Sequence, residues 1–211
     1  MGFDFGPYQF VMEPDEKIHW NMDFPHIQIL YGLAMMPGLL NVVEIGSFRG
    51  ASTAAFIQSQ KDGAGFHLHV VEIKPRWQLI AILNEMPKTR WSLYTEPIQH
   101  LDLPTPDLIL IDGDHGAPAL IDALAALCLG SGIIVMHDSQ THVTITNKNH
   151  WGAHQAAKLL KMHKDREWWE DCRQRPGMLT ERGLFVSWPK SMPGVRECLE
   201  RKKPVDVQLL S

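Results

Sequence analysis

The sequence predicts an α/β fold of the Rossmann-like, doubly wound type, with a mostly parallel sheet of about seven strands and helices on both faces. From Asn41 onward, short runs of β-branched and aliphatic residues alternate with stretches of helical periodicity. The runs are apolar throughout, which is typical of parallel strands buried on both faces. The chain has 211 residues, of which 45% are hydrophobic and 21% charged, as expected for a globular domain.

The predicted elements follow one another in a regular order. They are a helix at 24–36 that Pro37 and Gly38 end, a strand at 41–45, a helix at 51–60, a strand at 67–73, a helix at 75–86, a weak strand at 90–94, a strand at 106–111, a helix at 118–129, a strand at 133–136, a helix at 151–163, and one or two strands near 183–188. In such a sheet, ligands bind beyond the carboxyl ends of the strands.

The elements divide the chain into two parts. Residues 1–40 form an N-terminal arm and helix, which we expect to cover the ligand cleft or to make a subunit contact. Residues 41–211 form the main ligand-binding domain.

Composition excludes several classes of protein. The net charge of -4 argues against tight, nonspecific nucleic-acid binding, which depends on a basic surface. No apolar stretch approaches the roughly 18 residues that a membrane span requires, and no secretory signal is evident at the N-terminus. Three widely spaced cysteines do not suggest a disulfide framework, so we expect a cytoplasmic protein.

The first candidate site follows the strand at 41–45. Gly46 and Gly50 permit a tight turn into the next helix, where the backbone can approach a ligand closely. Glu72 ends the next strand, roughly 20 residues after the glycines, where a carboxylate can accept hydrogen bonds from ribose hydroxyls. The simpler alternative is that the glycines serve only the turn.

The residues of this turn also bear on the class of ligand. A dinucleotide fingerprint requires G-x-G-x-x-G, but Phe48 stands at the middle glycine. The acid Glu44 beside the turn is unfavourable for a phosphate and favourable for a cation. An adenosine ligand with a cationic end is therefore favoured, and a nucleotide-dependent oxidoreductase is the alternative.

The second candidate site lies after two later strands. Asp112, Asp114 and His115 follow the strand at 106–111, and His137 and Asp138 follow the strand at 133–136. Neighbouring parallel strands end at the same edge, so these acids should converge and need a compensating positive charge. A divalent cation is the simplest compensation: Mg²⁺, or Mn²⁺ if a histidine joins. Asp112 as a helix cap and His137 as a packed histidine are the structural alternatives.

The motifs of both sites resemble a known family. The run Glu44-Ile45-Gly46-Ser47-Phe48-Arg49-Gly50-Ala51-Ser52 resembles motif I of class I S-adenosylmethionine-dependent methyltransferases, in the O-methyltransferase branch. The D-G-D-H and H-D motifs resemble those of sugar and antibiotic-tailoring O-methyltransferases and of cephalosporin-hydroxylase-like proteins. The resemblance covers about residues 41–140.

The resemblance implies S-adenosylmethionine as cofactor and O-methylation of a small hydroxylated molecule, with Mg²⁺ or Mn²⁺ assisting. The implied cofactor-binding residues are Glu44, Gly46, Ser47, Gly50, Ser52, Glu72, Glu96 and Asp112. The implied metal ligands are Asp112, Asp138 and His137, and the implied catalytic bases are Asp114 and His115. Ser139 departs from the family, which has Asp or Asn there. A homo-oligomer is compatible with the resemblance, and a non-catalytic cofactor-binding module is a further alternative.

Overall fold

The computed structural model describes residues 3–4, 6–12, 22–140, 151–172 and 182–201. Its centre is a seven-stranded sheet in the order β3-β2-β1-β4-β5-β7-β6. Strands β1 to β5 are parallel to their neighbours among themselves, whereas β7 runs antiparallel to both β5 and β6. This architecture confirms the predicted Rossmann-like, doubly wound α/β fold with about seven strands.

The strands are β1 Asn41–Ile45, β2 His67–Val71, β3 Trp91–Tyr94, β4 Leu108–Ile111, β5 Ile133–His137, β6 Arg166–Asp171 and β7 Leu184–Pro189. The helices are α1 Gln9–Met12, α2 Phe24–Ala34, α3 Ala51–Lys61, α4 Trp77–Leu83, α5 Ala117–Cys128, α6 Trp151–Met162 and α7 Val195–Arg201. The longest of them has twelve residues, and no helix in the described part of the chain is long and apolar enough to cross a membrane.

Strand β6 was not predicted from the sequence. Its residues Arg166 to Asp171 include four charged side chains and two tryptophans, so they lack the apolar run that marks the parallel strands. It lies at the edge of the sheet, where charged side chains are common because they discourage pairing with another chain.

The core has two layers because successive side chains of a strand point to opposite faces. Val42 of β1 packs in the layer with α2, α3 and α7, whereas Val43 packs in the layer with α5 and α6. Tyr8 and Tyr31 belong to the first layer, so the described N-terminal residues share the core of the sheet. The expected role of residues 1–40 as a cap or subunit contact remains a prediction.

Candidate active site

The carboxyl ends of β1 and β4 touch at two glycines. Gly46 has φ +82°, and a Cβ added to it would lie 2.4 Å from the backbone of Gly113 and 2.5 Å from the carbonyl oxygen of Asp112. The N–H of Gly46 also donates to the carbonyl of Val71 at 3.0 Å. Glycine at 46 is therefore required by both its backbone conformation and this close approach.

The turn after β1 is closed by Glu72. Phe48 adopts φ +49°, which is uncommon for a residue other than glycine. Its N–H donates to Glu72 Oε2 at 2.9 Å, and Glu72 Oε1 accepts the N–H of Lys74 at 2.9 Å. The predicted ribose-binding carboxylate thus also positions the turn, and each oxygen keeps a second lone pair for a ligand hydroxyl.

Gly50 completes the turn and begins α3. It has φ +96°, and its N–H donates to the carbonyl of the buried Ser47 at 2.7 Å. A Cβ at Gly50 would lie 2.7 Å from the side chain of Ile82 in α4. The two predicted glycines therefore have different partners, since Gly46 contacts β4 and Gly50 contacts α4.

Glu44 is fully buried beneath this turn. Its Oε1 accepts a hydrogen bond from Ser52, and its Oε2 accepts one from Thr53 at 2.7 Å. Burial raises the pKa of Glu44 to about 7, with the charge of Asp112 adding to the rise and the hydroxyl bonds opposing it. Ser52 therefore anchors Glu44, and Thr53, which sequence reasoning did not select, does the same.

A cleft of about 350 Å³ opens between Glu72 and the turn that contains Gly113. Its walls are largely apolar, formed by Ile73, Ile98, Pro118 and Ile121. Sequence reasoning missed these four residues because apolar side chains carry no chemical motif. Glu96, predicted to lie near the adenine, is exposed and does not line the cleft, whereas the adjacent Pro97 does.

The predicted acids and histidines after β4 and β5 converge, with the exception of Asp114. His137 Nδ1 lies 2.9 Å from Asp112 Oδ1 and 3.6 Å from Asp138 Oδ1. His115 bridges the same two acids, with Nε2 at 3.3 Å from Asp112 Oδ1 and Nδ1 at 3.3 Å from Asp138 Oδ2. We call Asp112, His115, His137 and Asp138 the four-residue cluster.

The charges of the four-residue cluster compensate one another. Burial alone would lower the pKa of His137, but the carboxylates of Asp112 and Asp138 raise it to about 9. Burial alone would raise the pKa of Asp112, but His137 and His115 hold it well below its usual range. Arg182 adds a further positive charge, with Nε 3.9 Å from Asp138 Oδ1. A protonated His137 can therefore balance these two acids, and the predicted cation remains a prediction.

The arrangement bears directly on the predicted metal site. One ligand atom each from Asp112, His115 and His137 lies within 4.8 Å of the others, close enough for a single ion. Asp138 is not part of that group, and His137 Nδ1 already bonds to Asp112. The Ser139 hydroxyl donates to Glu170 Oε1 on β6 at 2.7 Å and is therefore directed away from the predicted metal site.

The two candidate bases differ in their surroundings. Asp114 is exposed, and its Oδ1 accepts the N–H of Gly116 at 2.9 Å in the turn before α5. His115 is half-buried, and its carbonyl accepts the N–H of Ala153 at 3.1 Å. The α6 N-terminus packs closely there, because a Cβ at Gly152 would lie 1.6 Å from the Gly116 carbonyl oxygen.

Distant elements also contribute residues that sequence reasoning missed. His26 of α2 is buried, and its ring meets that of His137 edge-on with centroids 5.3 Å apart. Arg182 precedes β7, and Glu170 lies in β6. No local pattern identifies these residues, because only the packing of the sheet brings them to the ends of β4 and β5.

Comparison with known proteins agrees with this geometry. Residues 43–139 match the family model described as a methyltransferase domain. No curated protein matches the chain.

Solved structures match over most of the chain. The O-methyltransferase from Bacillus cereus, in complex with SAH, is 16% identical, with a TM-score of 0.68 over 86% of this chain and 88% of that one. The O-methyltransferase TomG from Streptomyces achromogenes, in complex with SAM, is 16% identical, with a TM-score of 0.65 over 81% and 82%. The SAH-bound methyltransferase PaMTH1 from Podospora anserina is 15% identical, with a TM-score of 0.64 over 90% of each chain. At these identities the likeness establishes the fold.

Proposed function

We propose, on the premise that this chain is a methyltransferase with the class I fold, that it transfers the methyl group of S-adenosylmethionine to a hydroxyl oxygen of a small molecule. One observation carries the proposal: the contact between Gly46 and Gly113 joins the cleft beside Glu72 to the four-residue cluster. A cofactor site and a proton-accepting site therefore share one edge of the sheet. The ligands named for TomG and for the Bacillus cereus enzyme support the choice of cofactor.

The cleft suits the adenosine part of that cofactor. Glu72 offers carboxylate lone pairs to the ribose hydroxyls, and the apolar walls formed by Ile73 and Ile98 suit a planar adenine ring. Gly46 also lines the cleft, so we place the methionine part of the cofactor at its turn. Glu44 lies beneath this turn with its pKa near neutrality, so a bound cation would favour its ionised form.

Methyl transfer is an in-line displacement. The acceptor oxygen attacks the methyl carbon, a carbon–oxygen bond forms, and the carbon–sulfur bond breaks with its electron pair moving to sulfur. The sulfonium thereby becomes the neutral thioether of S-adenosylhomocysteine, and the hydroxyl proton must be accepted by a base. Alignment of oxygen, carbon and sulfur supplies much of the rate.

The contacts favour His115 over Asp114 as that base. Each ring nitrogen of His115 lies 3.3 Å from a carboxylate. In the neutral ring one nitrogen donates its N–H to one carboxylate, and the other has to turn its lone pair from the second carboxylate to the acceptor hydroxyl in order to take the proton. After His115 accepts the proton, its imidazolium has Asp112 on one side and Asp138 on the other. Asp114 instead bonds to the backbone of its own turn.

The donor set does not suit Mg²⁺. This ion prefers oxygen ligands, but the close neighbours of the Asp112 and Asp138 carboxylates are imidazoles, and the Ser139 hydroxyl donates to Glu170. An ion that accepts imidazole ligands, such as Mn²⁺, would have to bind Nε2 of His137 if the bond from Nδ1 to Asp112 is to persist. We therefore propose that His137 performs the charge compensation and that methyl transfer proceeds without Mg²⁺.

Calorimetry with S-adenosylmethionine, S-adenosylhomocysteine and NAD tests the proposed cofactor. We expect micromolar binding of the first two, and S-adenosylhomocysteine as the product when hydroxylated small molecules are supplied. Binding of NAD in their place would contradict the proposal and favour the oxidoreductase alternative. Cofactor binding without turnover across a broad panel of acceptors would favour a non-catalytic module.

The size of the cleft and the amino-acid composition support proposals about the acceptor, the location and the partners of the protein. A cleft of about 350 Å³ suits a small ligand, and we propose a small-molecule acceptor. The three widely spaced cysteines, Cys128, Cys172 and Cys198, support a cytoplasmic location. That nucleic acid and membranes are not partners remains a prediction from composition, and a homo-oligomer remains compatible with the fold.

A further inference from the structure

Glu170 is a buried carboxylate with three hydrogen-bond donors. Its side chain is 6% exposed and lies on β6, outside the four-residue cluster. Its Oε1 accepts bonds from Ser139 Oγ and Gln140 Nε2, each at 2.7 Å, and its Oε2 accepts one from Lys161 Nζ at 2.7 Å. Burial alone would raise the pKa of Glu170, but these donors lower it, so the carboxylate is ionised.

The residues that Glu170 anchors directly follow Asp138. Asp138 has φ +57°, a left-handed conformation that is uncommon for a residue other than glycine. Such a conformation persists only when neighbouring contacts impose it. Glu170 holds the next two side chains, and the N–H of Gln140 donates to the carbonyl of Arg182 at 3.0 Å.

The space around Ser139 is equally restricted. A Cβ added to Gly183 would lie 2.5 Å from Ser139 Oγ, and Gly183 itself has φ +74°. Only glycine at 183 therefore lets Ser139 direct its hydroxyl to β6. Ser139 is fully buried, so removing its acceptor would leave a hydroxyl without compensation from water.

We propose that Glu170 is a positioning residue, which acts through Ser139 and Gln140 to fix the left-handed turn at Asp138 and so to hold the Asp138 carboxylate against His115. The assignment rests on the proposed function, in which His115 is the base. Lys161 of α6 completes the anchor, because its ammonium bonds to Glu170 and lies 4.6 Å from the ring centroid of Trp168. Helix α6, strand β6 and the end of β5 are thereby joined at one carboxylate.

The test compares Glu170→Ala and Glu170→Gln with Glu167→Gln, a control on the same strand. Glu167 is 39% exposed and pairs with Arg196 at 2.9 Å, far from Asp138 in the hydrogen-bond network. We expect Glu170→Ala to lower kcat by about tenfold or more, while KM for S-adenosylmethionine changes by less than about twofold. Glu170→Gln retains an oxygen acceptor, so it should lower kcat by less than Glu170→Ala does. Glu167→Gln should have the kcat of the wild type.

A second readout reports the contact itself without turnover. Ring ¹⁵N resonances of His115 should shift in Glu170→Ala and stay at their wild-type positions in Glu167→Gln. A merely structural loss of stability would leave these resonances unchanged in the folded protein. Wild-type kcat and wild-type His115 resonances in Glu170→Ala would overturn the proposal.

Alternative variants and a binding measurement complete the test. If Glu170→Ala does not fold, the variants Ser139→Ala and Glu170→Gln test the proposal instead. Because both changes act on the same anchor, the double variant should lower kcat by less than the product of the two single effects. Multiplicative effects would contradict a shared anchor. Calorimetry with S-adenosylmethionine tests the proposed function, which would be overturned if the wild type failed to bind this cofactor. The His115 ring resonances test the positioning role of Glu170 separately, because they can be measured without cofactor.

Discussion

His137 donates its Nδ1–H to Asp112 Oδ1 across 2.9 Å, and this bond joins the carboxyl ends of β5 and β4. The His137 side chain is buried, and the carboxylates of Asp112 and Asp138 raise its pKa to about 9, although burial opposes the rise. A protonated imidazole at this position can balance the two acids, and under the proposed function it does so in place of a divalent cation.

The first prediction concerns the requirement for metal. Because His137 compensates Asp112, we expect dialysis against EDTA to change kcat by less than about twofold. Methyl transfer before and after chelation, with metal content determined by mass spectrometry, checks this. Loss of turnover that Mg²⁺ restores would contradict it and support the oxygen-ligand site predicted from the sequence. Restoration by Mn²⁺ alone would assign Asp112, His115 and His137 as ligands.

The second prediction separates the two candidate bases. His115→Asn removes the ring that bridges Asp112 and Asp138, so kcat should fall by about 10²- to 10⁴-fold. Asp114→Asn keeps an acceptor oxygen for the Gly116 N–H, so kcat should fall by less than about tenfold. Single-turnover rates with saturating cofactor provide the measurement. A larger loss in Asp114→Asn would reassign the base.

The third prediction concerns cofactor affinity. Glu72→Gln removes a carboxylate that lines the cleft and accepts the Phe48 N–H, so affinity for S-adenosylmethionine should fall by about tenfold or more. Glu96→Gln is the matched control, since Glu96 is exposed and does not line the cleft. Calorimetry of both variants decides the matter. An equal loss of affinity in Glu96→Gln would support the sequence-based prediction that Glu96 lies near the adenine.

The fourth prediction concerns stability and pH. The pKa of Glu44 is raised from 4.5 to about 7, so between these values the folded chain keeps a proton that the unfolded chain releases. The free energy of unfolding should therefore fall as pH rises through this window and level off above it. Relative to Glu44→Gln, which has no carboxyl to ionise, the wild type should lose on the order of 3 kcal/mol across the window.

Urea unfolding of wild type, Glu44→Gln and Glu96→Gln at pH 4.5, 6 and 8 measures the difference. Glu96→Gln removes an exposed carboxyl and should follow the wild-type profile. A wild-type advantage over Glu44→Gln that grows with pH would show that Glu44 is ionised in the folded chain and contradict the prediction.

Much of the site was predictable because strand ends obey simple rules. The apolar run ending at Ile45 predicts β1 with the observed bounds, and Gly46 follows where the backbone needs positive φ. Asp112 and His137 end neighbouring parallel strands, so their meeting follows from topology. The methyltransferase resemblance depends on these same strand ends, and both the fold and the family match confirm it.

The identity of the compensating charge was not predictable from the sequence. A carboxylate pair indicates only that some positive group is near, and whether it is an ion or His137 depends on the direction of each side chain. The role of Ser139 was equally unpredictable from the sequence. It follows from the structure, in which the Ser139 hydroxyl donates a hydrogen bond to Glu170.

By itself, the sequence determined the order of the strands and helices from α2 to α6, the glycine turn and the edge of the sheet where the functional side chains lie, because these depend on periodicity and on residues close together in the chain. The tertiary structure alone decided that His26 packs on His137, that β6 pairs with β7 and that Glu170 anchors the turn after β5. These contacts join segments remote in sequence, and packing of the two layers around the sheet fixes their distances and directions.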